Sequence, residues 1–568
     1  MGDDLTRRAF LATSAAGALI GGRADGAELE VERAVQPAEE AAGDAEINAA
    51  TVAEAQKLAG LEFTEAEREM VARGMDRRVE AYRRRREVEL ANTLAPASVF
   101  DARPFAAELP KRKLMVRGNG DPGKAPLSDA DIAFAPVTSL SRWIALGQIS
   151  SERLTKIYLD RLKRYAGRLE CVITLTEELA LAQARRADQE LLAGRYRGPL
   201  HGIPYGAKDL FDTKGIATTW GAQPFRDRVP DADAVVIQRL EAAGAVLVAK
   251  TTLGALAMGD VWFGGRTRNP WNIEQGSSGS SAGSAAGVAA GLFAFSLGTE
   301  TLGSIVSPCM QCGATGLRPT FGRVPRTGAM ALCWSLDKVG PICRTVEDCV
   351  LVLNAINGAD GGDPSSVDVL LDYDGEEAVT GVRVGFDPAW FEGRGATAVD
   401  RAALAALRRT GVDLREIMLP EMVTGPLRTI LNVEAAAAFE HLTLSNRDDE
   451  LVRQDAGAWP NSFRRSWFVP AVELVQADRL RRRACEQMAE AFEGVEVMFG
   501  PSFAGSMLLV TNNTGHPSLT LRAGFEEDGQ PHGVTLWGRL FDEGTLGRVG
   551  LALERELGVW ERRPSLGD

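Results

Sequence analysis

A run of small residues at positions 275–287, Gln-Gly-Ser-Ser-Gly-Ser-Ser-Ala-Gly-Ser-Ala-Ala-Gly, limits the possible folds of this chain more than any other segment. Such a run either stays flexible as a linker or lets backbone pack closely against backbone. It continues without a break into residues 288–293, Val-Ala-Ala-Gly-Leu-Phe, which have the composition of a buried core. Because linkers lie between domains, this position favours close packing inside one domain.

The same run also allows a nucleophile elbow. Residues 279–283 match the pattern G-x-S-x-G, with Ser281 at the position of a hydrolase nucleophile. An elbow follows a hydrophobic strand, whereas residues 272–276 are polar and typical of a turn. The histidine of such a triad would come from the late histidines, His441, His516 and His532.

Further motifs follow the run in a fixed order. Residues 298–305 read Gly-Thr-Glu-Thr-Leu-Gly-Ser-Ile, and residues 316–324 read Gly-Leu-Arg-Pro-Thr-Phe-Gly-Arg-Val. Upstream, residues 202–209 read Gly-Ile-Pro-Tyr-Gly-Ala-Lys-Asp. Over about residues 137–554 the chain resembles the amidase signature family. The resemblance implies an α/β fold with a mixed central β-sheet surrounded by α-helices, and amide hydrolysis with neither a metal nor an organic cofactor.

The catalytic triad of that family falls, residue by residue, on Lys208, Ser280 and Ser304. The resemblance implies that Ser304 is the nucleophile, that Ser280 relays the proton and follows a cis peptide bond, and that Lys208 is the base. A lysine with an ordinary pKa of about 10.4 is protonated at neutral pH, so Lys208 needs burial to lower its pKa. Its neighbours in residues 204–211 are mostly apolar. A neutral Lys208 can then accept a proton from Ser280 as Ser280 accepts one from Ser304.

The resemblance also assigns an oxyanion hole, formed by the backbone N–H groups of Thr301, Leu302, Gly303 and Ser304. Leu302 stands where the family commonly has glycine, and a positive φ there would cost about 1–2 kcal/mol. The sequence leaves open whether this loop is ordinary or reshaped. Val306 replaces a frequent arginine, and Ser278 and Ala282 replace frequent glycines. We expect these changes to affect the substrate pocket more than the triad.

Three aromatic residues near the motifs are candidates for that pocket, although aromatic side chains often belong to the core instead. They are Trp262, Phe263 and Trp334. We expect Arg318 and Asp337 to hold the structure and not to touch the substrate.

Charge and composition exclude several classes of function. With 64 Lys and Arg against 77 Asp and Glu, the chain has a net charge of −13, which disfavours nucleic-acid partners. Its four histidines and seven cysteines lack the spacing of a metal site, and the pair Cys309 and Cys312 has no second pair nearby. The expected partner is a small-molecule amide, with no cofactor.

The amino-terminal region has the pattern of a targeting signal. Arg7 and Arg8 precede the apolar residues 9–20, so residues 1–27 resemble a twin-arginine export signal and predict a periplasmic or extracellular protein. The sequence is compatible both with cleavage of this signal and with its retention as an uncleaved anchor. No other segment is apolar for long enough to span a membrane. Residues 28–127 are expected to be a linker and a helical extension, and residues 128–568 the amidase signature domain.

The helical extension is marked by a capping box at Thr64 and Glu67, which predicts a helix of roughly six turns. Two other functions remain alternatives to amide hydrolysis. The first is a subunit of a glutamine-dependent tRNA amidotransferase, although export would separate such a subunit from tRNA. The second is a catalytically silent binding protein with the amidase fold, suggested by Leu302 and Val306.

Overall fold

The computed structural model describes residues 47–118, 120–393 and 395–567. The expected signal at residues 1–27 lies outside them, as does most of the linker. The chain divides into two units, residues 1–83 and 84–568. The described part of the first unit holds α1 (Ala49–Ala59) and α2 (Glu65–Ala72), and α3 (Met75–Arg86) runs across the boundary.

The capping box forms as expected, but the single long helix does not. The Thr64 side chain accepts a hydrogen bond from the Glu67 N–H group, and the Glu67 carboxylate accepts one from the Thr64 N–H group. The predicted six-turn helix is interrupted between α2 and α3, where Gly74 has a φ of 87°. Because this left-handed conformation is incompatible with helix, two short helices replace one.

The remaining helices surround a central sheet in the second unit. In chain order they are α4 (Asp129–Phe134), α5 (Val137–Ala145), α6 (Ser151–Leu169), α7 (Glu177–Leu192), α8 (Val235–Ala242), α9 (Ala282–Ala289), α10 (Val306–Cys312), α11 (Val346–Ile356), α12 (Ala389–Glu392), α13 (Ala398–Arg409), α14 (Leu427–Ala438), α15 (Glu440–Leu444), α16 (Trp459–Ser466), α17 (Ala471–Ala491), α18 (Met507–Thr514) and α19 (Glu543–Leu557). Among the described residues, none of the helices is long and apolar enough to cross a membrane.

The strands are mostly short. They are β1 (Leu114–Val116), β2 (Val172–Leu175), β3 (Pro204–Lys208), β4 (Val246–Thr251), β5 (Val261–Trp262), β6 (Gly265–Arg266), β7 (Arg268–Asn269), β8 (Asn272–Gly276), β9 (Phe295–Glu300), β10 (Thr315–Arg318), β11 (Lys338–Cys343), β12 (Asp372–Asp374), β13 (Arg383–Phe386), β14 (Asp413–Glu416), β15 (Val497–Pro501), β16 (Ser518–Phe525) and β17 (Pro531–Gly538).

Within the described residues, eleven strands form one sheet in the order β14-β13-β15-β17-β16-β10-β11-β9-β3-β4-β2. Strands β9, β3 and β4 are parallel, whereas β10, β11, β16 and β17 pair antiparallel. The expected α/β fold with a mixed central sheet is therefore confirmed. Strands β3, β4 and β9 are buried along their whole length, as strands covered on both faces must be.

The small-residue run packs inside this domain, as the sequence predicts. All eight residues of α9 are buried. A Cβ atom on Gly283 would collide with the carbonyl oxygen of Cys171, and one on Gly279 with the carbonyl oxygen of Gly259. Glycine is required because these backbones touch. The preceding residues form the partly exposed strand β8 and not the expected turn, because they pair with β7 in a two-stranded ribbon.

Candidate active site

Lys208 lies at the carboxyl end of β3, next to the end of the parallel strand β9, and is fully buried. Its Nζ atom donates hydrogen bonds to Ser280 Oγ at 2.9 Å, Ser281 Oγ at 3.1 Å and Thr299 Oγ1 at 2.8 Å. None of these partners carries a charge. Nζ therefore lies among hydroxyl groups that can receive or supply a proton.

The surroundings of Lys208 change its protonation. Burial lowers the pKa of its amino group to about 7, although the negative charges of Asp337 and Glu300 act in the opposite direction. Desolvation disfavours the charged form, and the three hydroxyl groups are not full counter-ions. A large fraction of Lys208 is thus neutral at neutral pH, as a base requires.

The two adjacent serines differ in their hydrogen bonds. The peptide bond between Gly279 and Ser280 is cis, as the family resemblance implied. Within the described residues, the Lys208 amine is the only hydrogen-bond partner of the Ser280 hydroxyl. The Ser281 hydroxyl also donates to the Thr299 carbonyl oxygen at 3.0 Å and accepts from the Thr299 N–H group at 3.1 Å. Ser281 thus ties its loop to β9, whereas Ser280 is free to exchange a proton.

The elbow interpretation lacks a histidine beside Ser281. The ring of His516 hydrogen-bonds to Thr514, and the ring of His532 to Asp400. Among the described residues, the Ser281 hydroxyl contacts only Lys208 and Thr299 through hydrogen bonds.

Ser304 lies in the turn that joins β9 to α10. Its carbonyl oxygen accepts a hydrogen bond from the Ser281 N–H group at 3.1 Å, so the backbones of the two serine segments are in contact. The Ser304 hydroxyl makes no hydrogen bond to Ser280 or to any other described residue. The residue is 7% exposed and lines a cavity of about 400 Å³. The hydroxyl is therefore available to a molecule in that cavity.

The same turn presents a row of unused backbone donors. Across the described chain, no acceptor is hydrogen-bonded to the N–H groups of Thr301, Leu302, Gly303 or Ser304. Gly303 has a φ of 86°, whereas Leu302 does not have a positive φ. Leucine therefore fits position 302 without left-handed strain, and the loop is ordinary there. Four free donors beside a serine hydroxyl suit the binding of an oxyanion.

Buried ionic groups hold this turn in place. The Glu300 carboxylate lies 2.6 Å from the Arg318 guanidinium and accepts hydrogen bonds from the N–H groups of Ile305 at 2.8 Å and Val306 at 3.0 Å. Burial acts to raise the pKa of Glu300, but Arg318 and these donors lower it to about 2. Glu300 thus stays charged and fixes the start of α10.

Asp337 anchors the other side of the turn. Its carboxylate accepts hydrogen bonds from the Thr301 hydroxyl at 2.6 Å and from the N–H groups of Leu332 and Cys333 at 2.8 and 3.0 Å. Burial raises its pKa. The turn is therefore held from both ends.

The three aromatic candidates are not brought together. Trp334 lines a second cavity of about 250 Å³, which also contacts Thr299 and Thr301. Trp262 and Phe263 pack against each other with ring centroids 4.9 Å apart and line neither cavity. Sequence patterns did not indicate Arg428, Leu431, Trp459 and Arg465, which line the cavity beside Ser304 from helices α14 and α16. These helices lie outside every motif, so no local signal marked them.

Comparisons with known proteins identify the family to which the chain belongs. The Amidase family model matches residues 153–506. The chain is 35% identical over 470 residues to a glutamyl-tRNA(Gln) amidotransferase subunit from Anaeromyxobacter dehalogenans, covering 73% of this chain and 94% of that protein. The native peptide amidase of Stenotrophomonas maltophilia has 30% identity and a TM-score of 0.68, over 76% of this chain and 99% of that one. An amidase family protein from Bacillus anthracis has 27% identity and a TM-score of 0.68, over 77% and 93%. The chain therefore belongs to the amidase signature family.

Proposed function

We propose that this chain hydrolyses amide bonds through an acyl-serine intermediate, with Ser304 as nucleophile, Ser280 as relay and Lys208 as base. One observation carries the proposal. The buried Lys208 amine, with a pKa lowered to about 7, donates to the otherwise unpaired Ser280 hydroxyl beside the Ser304 turn. This arrangement matches a base and a relay next to an activated nucleophile.

The reaction begins with proton transfer away from the nucleophile. Ser304 Oγ attacks the amide carbon while its proton passes to Ser280 Oγ, and the Ser280 proton passes to Lys208 Nζ. Catalytic hydrogen bonds are often long without substrate, which fits the unpaired Ser304 hydroxyl. The oxyanion accepts hydrogen bonds from the free N–H groups of residues 301–304.

The same groups then transfer the proton in the opposite direction to complete the reaction. Lys208 returns its proton through Ser280 to the amide nitrogen, the carbon–nitrogen bond breaks, and ammonia or an amine leaves. Water then attacks the acyl-serine ester, and the relay again removes and returns one proton. Each proton that enters Lys208 leaves it again, so the free enzyme is restored.

A fluorophosphonate probe tests the nucleophile. We expect the wild-type chain to be labelled at Ser304 and the Ser304→Ala variant to remain unlabelled. Ser307→Ala is the matched control, since Ser307 lies three residues further on in α10, and we expect it to be labelled normally. Labelling that persists in Ser304→Ala contradicts the assignment.

A second candidate function is that of an amidotransferase-like subunit, favoured by the 35% identity to the Anaeromyxobacter dehalogenans protein over 94% of its length. An activity assay of the purified chain distinguishes the two functions. We expect it to release amines or ammonia from simple amides such as acyl anilides without a partner. Activity only with glutamine and added partner proteins supports the second candidate instead. Turnover of any simple amide also rejects a silent binding protein.

We also propose that residues 1–27 direct export through the twin-arginine route, from the sequence pattern at Arg7 and Arg8. The test is cell fractionation of the full chain and of a variant with both arginines changed to lysine. We expect the wild type outside the cytoplasmic membrane and the variant inside. Equal distribution of the two contradicts export by this signal.

A further inference from the structure

The cavity beside Ser304 is closed on one side by two helices outside the catalytic motifs. Helix α14 contributes Arg428 and Leu431, which are three residues apart and so share one face. Helix α16 contributes Trp459 and Arg465. The volume of about 400 Å³ is within the range of small-molecule sites. The cavity can thus hold a ligand next to the Ser304 hydroxyl.

The charged side chains at this cavity are all positive. Arg428 and Arg465 line it, and its described lining includes neither aspartate nor glutamate. The Arg428 side chain has no ion pair or hydrogen bond with any described residue. The Arg465 side chain donates only to the Ala456 carbonyl oxygen at 3.0 Å and the Ser462 hydroxyl at 3.3 Å.

Arg428 and Arg465 are both exposed, and neither forms an ion pair with a described carboxylate, although the net charge of the whole chain is −13. Two guanidinium groups without carboxylate partners create a positive potential at the cavity that attracts anions. A guanidinium group binds a carboxylate through paired, charge-assisted hydrogen bonds.

We infer that this cavity selects amides that carry a carboxylate, an inference that rests on the proposed function. Arg428 and Arg465 bind the carboxylate, while Leu302, Leu431 and Trp459 contact the carbon atoms between it and the amide. Holding the far end of the substrate fixes the amide carbon over Ser304 Oγ, which lowers the entropic barrier to attack.

The test uses two pairs of amides of matched shape. The first pair is succinyl-4-nitroanilide and 4-methylpentanoyl-4-nitroanilide, in which an isopropyl group replaces the carboxylate on the acyl side. The second pair is N-acetyl-4-aminobenzoate and N-acetyl-4-isopropylaniline, with the same exchange on the amine side. For each pair, the ratio of kcat/KM for the carboxylate to kcat/KM for the neutral amide is measured. The pair with the higher ratio identifies the side that the arginines bind.

We expect a ratio well above one in at least one pair. Arg428→Gln and Arg465→Gln should each lower that ratio by about tenfold, as for loss of a hydrogen bond to a charged group. Arg479→Gln is the matched control, because Arg479 is exposed on α17 and lines neither cavity, and the ratio should not change.

Two results overturn the inference: a ratio near one in both pairs, or a high ratio that survives the double variant Arg428→Gln, Arg465→Gln. Fluorophosphonate labelling distinguishes this failure from failure of the proposed function. If Ser304 is labelled and the ratio is near one, only the carboxylate selection is lost. If Ser304 is never labelled, the proposed nucleophile is rejected as well.

Discussion

Replacing Lys208 by methionine should make the protein inactive and, at pH 7, more stable. The wild-type amine is fully buried, and burial lowers its pKa from 10.5 to about 7. At pH 7 folding must therefore remove a proton that the unfolded chain keeps, or bury the charge. A methionine of similar length removes that penalty together with the base.

The magnitude follows from the pKa of Lys208. Lowering a pKa from 10.5 to about 7 corresponds to about 5 kcal/mol of unfolding free energy at pH 7. The variant loses the hydrogen bonds to Ser280, Ser281 and Thr299, at about 1 kcal/mol each. The net gain is about 2 kcal/mol.

The sign of the pH dependence is fixed by linkage. Between pH 7 and 10.5 the unfolded chain binds a proton at Lys208 that the folded chain does not, so wild-type stability rises with pH across this window. At pH 9 the lowered pKa of Lys208 costs the wild-type protein only about 2 kcal/mol of unfolding free energy, compared with about 5 kcal/mol at pH 7. The stability advantage of Lys208→Met therefore falls by about 3 kcal/mol, and the wild type becomes the more stable protein.

Urea unfolding followed by tryptophan fluorescence at pH 7 and pH 9 measures both differences. Lys250→Met is the matched control, because Lys250 is equally buried but its Nζ lies 3.0 Å from the Asp209 carboxylate. Losing Lys250 leaves Asp209 buried without its partner, which should destabilise the protein by about 3–5 kcal/mol. A stability difference between wild type and Lys208→Met that stays constant from pH 7 to pH 9 would refute the reasoning.

Three further predictions concern activity and the turn. For a neutral amide, kcat/KM should rise with pH through about 7 and then level off, because neutral Lys208 is the base; a flat profile from pH 5 to 9 contradicts this role. Ser280→Ala should slow acylation by about 10²- to 10⁴-fold in a fluorophosphonate labelling assay. Ser281→Ala should slow it much less, because the Ser281 hydroxyl is hydrogen-bonded to the Thr299 backbone. Equal losses of labelling rate in the two variants count against Ser280 as the relay. Gly303→Ala should lower the unfolding free energy by about 1–2 kcal/mol, since φ is 86° there, and should also lower kcat; unchanged urea unfolding contradicts the strain.

Much of the candidate site could be predicted from the sequence because its residues lie in short, contiguous motifs. A run of glycine, alanine and serine next to a core segment has few alternatives to close backbone packing, and the contacts of Gly279 and Gly283 show that packing. The order of the motifs placed Lys208, Ser280 and Ser304, and the structure puts the first two in direct contact. The mixed sheet also followed from the resemblance.

Other properties depend on which distant residues become neighbours. Leu302 is not among the described residues with positive φ, and the left-handed conformation falls on Gly303 instead, a choice that the residue types alone left open. The long helix expected after Thr64 is divided at Gly74, since one left-handed residue outweighs the helical pattern around it.

The amino-acid sequence by itself determined the family, the fold class and the candidate catalytic residues, because short motifs and their order encode them. Only the tertiary structure decided the pKa of Lys208 and the positive charge of the cavity beside Ser304. The pKa depends on complete burial beside Thr299, and the charge on Arg428 and Arg465, which lie more than a hundred residues from the motif. Solvent exclusion and charge are set by the packing of distant elements, so no local pattern reports them.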